Sequence, residues 1–192
     1  MYRSFLILFS MLFATTGFAQ AFNYTYVEGG LGYIDDRTGS DVDAYGGLIG
    51  GSYALNSDFH VFAGYSKVEF DDFDDFDVSG TELGIGYNMA ISDAIDFVAT
   101  ASWITADVDI SGIGSDSDDG LSATLGIRAW ASKFWEVNTG IGIAKFSDSD
   151  NDTAVYAGAD YYVTRNISIG LSGAWSDSEI GSYALSLRYN FD

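Results

Sequence analysis

Residues 182–191, "SYALSLRYNF", alternate strictly between two kinds of side chain. Bulky apolar or aromatic residues occupy every second position, namely Tyr183, Leu185, Leu187, Tyr189 and Phe191. The intervening positions hold serine, alanine, arginine and asparagine. Because side chains alternate between the two faces of a β-strand, this segment predicts a strand with one broad apolar face.

The same alternation recurs along the chain, and the links between the alternating segments differ in length. Short turns fall at residues 56–58, 91–94, 131–133 and 164–166, and longer, mostly acidic links fall at 35–41, 69–78, 107–119, 147–152 and 176–180. This pattern predicts ten antiparallel strands joined as hairpins. We place them at residues 22–34, 42–55, 59–68, 80–90, 95–106, 120–130, 134–146, 153–163, 167–175 and 181–191.

The composition limits the class of protein. The chain has 192 residues, of which 47% are hydrophobic and 16% aromatic, so it is too apolar for a disordered chain. It contains neither Pro nor Cys, which suits a fold in which almost every residue donates to a sheet and which excludes disulfides and thiolate chemistry. A net charge of −20 makes nucleic acid an unsuitable partner.

The first 21 residues form a separate unit. A single basic residue, Arg3, precedes the apolar run "FLILFSMLFA" and the small residues of "TTGFAQA". This order predicts a secretory signal peptide, and cleavage after Ala19 or after Ala21 fits equally well. The mature domain is then expected to begin near residue 22 and to extend to residue 192.

The second face of the predicted strands favours a membrane barrel over a soluble sandwich. That face holds mainly Gly, Ala, Ser and Asn, which is too small and too neutral for the solvent-exposed face of a sandwich and suits the lumen of a narrow cylinder. Apolar side chains then face lipid, where strand edges must close on one another. We therefore predict an all-β, closed, antiparallel up-and-down transmembrane β-barrel of about ten strands, with eight as the alternative. A soluble periplasmic protein is the competing interpretation.

Strand direction places all short turns on the side of both termini. In outer-membrane barrels that side is the periplasm, so the long acidic links are expected outside the cell. The link "EFDDFDDFDV" at residues 69–78 is then a solvated surface loop. Its three aromatic residues, Phe70, Phe73 and Phe76, recur every third position and are candidates for contact with a surface ligand, another cell or lipid.

The signal peptide, the paired alternating strands and the final strand "YALSLRYNF" together resemble the small outer-membrane β-barrels of Gram-negative bacteria, the OmpA-like and OmpX-like proteins. The resemblance implies an outer-membrane location and recognition of the last strand by the barrel-assembly machinery, with Tyr189 and Phe191 as the assembly signal. The chain departs from the pattern in having Asp192 after that signal, and in the predicted strand count.

Catalytic groups are scarce in this sequence. Its one histidine, His60, follows a short turn and is expected at the periplasmic end, whereas barrel enzymes of this architecture place His with Asp or Ser in the outer half. No hydrolase, metalloprotease or dinucleotide motif is present. We therefore expect a protein that is not an enzyme.

Six charged residues are expected to face the lumen: Glu28, Glu82, Asp96, Arg128, Glu136 and Arg188. Charges in a low-dielectric interior normally pair. The first and last strands meet at closure, which favours a pair between Glu28 and Arg188. Arg128 and Glu136 form a second candidate pair across a hairpin. Such pairs would plug the lumen, whereas the excess of acids would make an open pore prefer cations.

The Asp-rich link at residues 147–152 raises the question of a bound metal. Asp148, Asp150 and Asp152 have the spacing that begins a Ca²⁺ loop, but the later Gly and Glu of such a loop are absent. We therefore expect no cofactor beyond divalent cations held loosely between the acidic loops and lipopolysaccharide phosphates.

Two functions follow from these observations. The first is a non-enzymatic surface barrel whose acidic loops act in envelope integrity, adhesion or contact with a surface ligand that the sequence does not identify. The alternative is a narrow, cation-preferring pore. In both cases the expected partners are outer-membrane lipid, lipopolysaccharide and, during biogenesis, the barrel-assembly machinery.

Overall fold

The structure, a computed structural model, describes residues 22–36, 43–70, 76–110, 114–147, 151–177 and 180–191. All ten elements are strands: β1 (Tyr26–Asp36), β2 (Asp43–Ala54), β3 (Phe59–Phe70), β4 (Phe76–Ser92), β5 (Ile95–Ile110), β6 (Gly114–Trp130), β7 (Trp135–Phe146), β8 (Asp152–Tyr162), β9 (Ile167–Ser176) and β10 (Ile180–Asn190). The predicted signal peptide, residues 1–21, lies outside the described residues.

Each strand pairs in antiparallel fashion with its neighbours in sequence, and β1 pairs with β10 to close the sheet into a barrel. The ten-strand prediction is confirmed, and the eight-strand alternative is wrong. Closure leaves no strand edge along the barrel wall, as a wall surrounded by hydrocarbon requires. It also fixes which residues of the two terminal strands face each other, and Glu28 lies directly opposite Arg188.

The outer wall is apolar. Leu31 is 72% exposed, Leu171 64% and Leu83 64%, and these large exposed side chains belong to a continuous set found on every strand from β1 to β10. Aromatic side chains lie near both ends of this belt, with Tyr53 and Trp135 at the end of the short turns. An apolar wall of this extent matches the lipid-facing band of an outer-membrane barrel. Within the described residues, no helix is long and apolar enough to cross a membrane.

Several predicted strand boundaries are wrong. The first strand begins at Tyr26 rather than at residue 22, because the preceding residues turn into the barrel interior. The predicted link at 107–119 lies mostly in strands, because β5 continues to Ile110 and β6 begins at Gly114. The alternation simply persists through the acidic residues: Val108 faces inward and is buried, whereas Asp107 and Asp109 face outward and are exposed.

The barrel interior has two layers. The half near the long links is filled by an apolar cluster that includes Ile34, Val68, Phe70, Val78, Ile104, Val108, Phe146 and Ile180. The half near the short turns holds polar and charged side chains, among them Glu28, His60, Asp96, Arg128, Glu136 and Arg188. The prediction of a lumen lined throughout by small and polar residues is therefore wrong for the half near the links, where the inward positions carry large apolar residues.

Candidate functional site in the barrel lumen

An ion pair joins the first and last strands inside the lumen. Arg188 donates from Nη2 to Glu28 Oε2 at 2.6 Å and from Nε to the same oxygen at 3.2 Å. Both side chains are buried, and the nearest oxygen of Asp160 lies 3.9 Å from Nη2. The guanidinium also lies over the ring of Tyr26, 4.6 Å from its centroid. This is the pair that strand closure predicts, and it joins the first strand to the last strand.

A second ion pair lies across the β6–β7 hairpin. Arg128 donates from Nε and Nη2 to Glu136 Oε1, at 2.9 and 2.8 Å. Arg128 faces Asn138 directly in the strand register, so it reaches diagonally along β7 to the carboxylate. Both members are buried, with Glu136 0% exposed, so neither charge is hydrated from bulk solvent.

Residues 22–25 close the lumen at the end of the short turns. The Tyr24 ring stacks on His60 with centroids 4.5 Å apart, and its hydroxyl donates to Asp96 Oδ2 at 3.1 Å. Arg128 lies 4.9 Å from the centroids of both Phe22 and Tyr24. Burial raises the pKa of the Tyr24 phenol, so this group stays protonated and acts as a donor. This plug was not predicted, because the sequence pattern places residues 22–25 in the first strand.

His60 has a structural environment. Its Nδ1 lies 3.3 Å from Asn88 Oδ1, and Asn88 in turn donates to the Ser57 carbonyl at 2.7 Å. An amide does not exchange protons near neutral pH, so this contact orients the ring without forming an acid–base relay. The histidine lies at the end predicted for it, beneath the Tyr24 ring.

Glu82 occupies a different setting near the middle of the barrel. Ser102 donates to its Oε1 at 2.5 Å, and the Ser102 and Ser122 hydroxyls lie 2.6 Å apart. Thr100 and Thr124 form the neighbouring hydroxyl pair at 2.7 Å. Among the described residues, no Lys or Arg forms an ion pair with Glu82. The Ser102 hydroxyl thus donates to the Glu82 carboxylate, whereas arginine donates to Glu28 and Glu136 and tyrosine donates to Asp96.

A small cavity lies beside Glu28 in the lumen. This cavity of about 10 Å³ lies among Glu28, Asn138, Asp160 and the β8–β10 backbone, which is room for about one water molecule. The apolar cluster lies in the lumen on the side of the long links, and Tyr24 lies on the side of the short turns. The two arginine pairs therefore hold neighbouring strands together.

The three phenylalanines that were predicted to lie on a surface loop do not form a common edge among the described residues. Phe70 is the last residue of β3 and is only 7% exposed, so it belongs to the interior cluster and not to a surface edge. The alternation of β3 turns its ring inward. Phe76 is the first residue of β4, and Phe73 lies outside the described residues. At the other end, Tyr189 and Phe191 are exposed on the lipid face, with ring centroids 5.1 Å apart.

The predicted calcium residues are only partly described. Asp152 begins β8 and is buried, whereas Asp148 and Asp150 lie outside the described residues. Across the part of the chain that the structure describes, no three His, Asp or Glu side chains converge as a metal site requires. The expectation that these aspartates hold no specific calcium ion therefore stays a prediction.

Solved structures that superimpose on this chain include outer-membrane barrels. The NanC porin superimposes with a TM-score of 0.56 at 10% identity, over 87% of this chain and 100% of that chain. The KdgM porin in complex with disordered oligogalacturonate gives 0.51 at 10% identity, over 86% and 99%. Neisserial surface protein A gives 0.46 at 16% identity, over 86% and 96%. No model of a known protein family matches the chain, and no curated protein matches it.

The chain therefore has the fold of bacterial outer-membrane β-barrel proteins, with the lipid-facing belt that this location requires. The likeness is one of fold, and it does not single out the OmpA-like and OmpX-like proteins. At these identities the neighbours share an architecture with this chain and not a demonstrated activity.

Proposed function

We propose that this protein is a non-enzymatic outer-membrane barrel with a closed lumen, whose activity resides on its outward-facing acidic end. The observation that supports this most strongly is the filling of the lumen. The ion pairs of Arg188 and Arg128, the Tyr24 plug and the apolar cluster succeed one another along the barrel axis. Each arginine removed from its carboxylate would leave a buried charge, so the barrel resists opening.

The acidic end supports a role in surface interaction. The β5–β6 hairpin extends beyond the pairing of β6 with β7, which stops at Gly120. Its outer part exposes Asp107, Asp109 and Asp116. We propose that this end faces outside the cell, that both termini are periplasmic, and that the acids hold divalent cations loosely against lipopolysaccharide phosphates. Envelope integrity and adhesion are the roles that such a surface fits best.

The last strand fits a role in biogenesis. Tyr189 and Phe191 lie on the lipid face at the end of β10, where an assembly factor can reach them before closure. We propose that the barrel-assembly machinery recognises this aromatic pair.

A narrow cation-preferring pore is the second candidate function. The lumen acids Glu28, Glu82, Asp96, Glu136 and Asp160 favour it, because they outnumber the two lumen arginines. Conduction would require displacement of Tyr24 and of the apolar cluster, and both arginine pairs would have to stay intact.

Single-channel recording in planar bilayers separates the two functions. We expect the refolded full-length chain to insert without conductance steps. A variant Tyr24→Ala would keep the apolar cluster and should also be silent. Stable cation-selective steps that change in Glu28→Gln or Glu82→Gln would replace the closed-barrel proposal with the pore.

The orientation is tested separately by labelling. Because the chain has no cysteine, Asp116→Cys and Ser132→Cys each supply one thiol, at opposite ends of the barrel. We expect an impermeant maleimide to label Asp116→Cys on intact cells and Ser132→Cys only after lysis. Labelling of Ser132→Cys on intact cells would reverse the orientation.

A further inference from the structure

A groove lies on the outer wall of the barrel across β4 to β7. It is a shallow, open depression with a volume of about 750 Å³. Its floor consists of small side chains, because Ala101 pairs with Ala123 across β5 and β6. Ile85 and Ile143 flank this pair in the same row. The two alanines therefore leave a depression in the wall, because most other outward-facing positions of the belt carry leucine, isoleucine or aromatic residues.

Bulky side chains border the groove on the side of the long links. Leu83, Trp103 and Leu121 form the next outward-facing row, since Leu83 pairs with Trp103 and Trp103 with Leu121. All three are more than half exposed. An elongated apolar group lying along the strands would contact the alanine floor and the edge of the Trp103 ring together.

Two hydrogen-bond donors stand at the outer end of this groove. Lys145 follows Leu121 in its row, and Asn151 lies across the β7–β8 hairpin from it, next to the pair of Ala144 with Asp152. Both donors line the groove and are exposed. Lys145 forms no ion pair with any other described residue, whereas Lys67, the other lysine at this end of the wall, lies 2.7 Å from Asp77.

We propose that this groove binds one lipid A moiety of lipopolysaccharide, with an acyl chain on the alanine floor and a phosphate at Lys145 and Asn151. An ammonium that forms no ion pair among the described residues, placed beside an amide, complements an anionic head group. The assignment rests on the outward orientation proposed above, which puts the two donors at the outer leaflet. Asp119, exposed one outward position beyond Leu121, would meet the same phosphate through a divalent cation.

Native mass spectrometry of the refolded full-length barrel in detergent tests the site, with purified lipid A as the probe. We expect a one-to-one complex. The double variant Ala101→Leu, Ala123→Leu fills the floor and should weaken this complex about tenfold or more, because the acyl chain loses apolar contact. Ala157→Leu makes the same change on the outer wall of β8, away from the groove, and should bind as the wild type does.

The head-group contact has its own test. Lys145→Gln should weaken binding of lipid A about tenfold, the effect of losing one hydrogen bond to a charged group, and leave its dephosphorylated form unaffected. Heat-shifted gel migration must match among all variants, so that a folding defect is distinguished from a binding defect. Equal binding by the groove-filled variant and by Ala157→Leu would overturn the site. Phosphatidylglycerol that competes as well as lipid A would overturn the assignment of the lipid. Neither result depends on whether the lumen conducts.

Discussion

Replacing Arg128 with methionine should destabilise the barrel more than replacing both Arg128 and Glu136. In the single variant the Glu136 carboxylate, 0% exposed, loses both hydrogen bonds from the guanidinium. Hydrogen bonds to charged groups are worth about 1.5–3 kcal/mol each, and breaking a buried ion pair costs about 3–5 kcal/mol overall. We therefore expect the free energy of unfolding to fall by about 3–5 kcal/mol.

The double variant Arg128→Met, Glu136→Met removes the unpaired charge together with the pair. Buried pairs replaced by apolar residues of similar size are often neutral, so we expect the double variant to lose less than either single variant. The coupling energy between the two sites should therefore be at least about 3 kcal/mol, at the upper end for residues in direct contact.

The assay is urea unfolding of the barrel in lipid vesicles, followed by the fluorescence of its four tryptophans. Lys67→Met is the matched control, because Lys67 pairs with Asp77 at 2.7 Å while both side chains are more than 40% exposed. Its midpoint should move far less than that of Arg128→Met. A double variant that loses as much stability as the two single variants added together shows no coupling and would refute the reasoning. An Arg128→Met midpoint no lower than that of the control would refute it as well.

Three further predictions concern packing, closure and assembly. Gly140→Ala should lower the temperature at which the folded barrel unfolds on a gel, because the added Cβ would meet the Tyr156 hydroxyl. Gly47→Ala is the control, since its Cβ would have no contact closer than 3.9 Å, and an equal change in both variants would contradict the prediction. Tyr24→Ala should increase hydrogen exchange of the backbone amides of the strands near the short turns, because the side chain that covers this end of the lumen is lost. Unchanged exchange would argue against a plugging role. Phe191→Ala should reduce the folded barrel recovered from outer membranes in cells while refolding in detergent proceeds normally; a defect in both would indicate a role in stability and not in recognition.

Much of the fold was predictable because a strand has a period of two. Leu185 and Leu187 on the lipid face and Arg188 in the lumen follow from counting residues, and closure of the first strand on the last brings Glu28 to Arg188. Local alternation determines the face of a side chain independently of its neighbours, so no tertiary information is needed for it.

The acidic links are where sequence reasoning failed. Phe70 stands within a run of acids that is typical of a solvated loop, yet β3 continues through it and buries the ring. The same holds for the outer part of the β5–β6 hairpin, where Val108 faces inward between exposed aspartates. Charge density alone did not separate strand from loop, because exposed acids are tolerated on one face of a strand as readily as in a loop.

The sequence by itself determined the class of protein: paired alternating strands, an apolar outer face, an acidic surface and no recognisable catalytic motif. Only the tertiary structure decided how the interior of the barrel is packed. That property depends on side chains distant in sequence, such as Tyr24 with Asp96 and His60, meeting at one level of the barrel. The outer-wall groove has the same origin, since two alanines form a depression only when the register of β5 and β6 sets them side by side. Period and charge are local properties of a chain, whereas a cavity and its filling depend on register and closure.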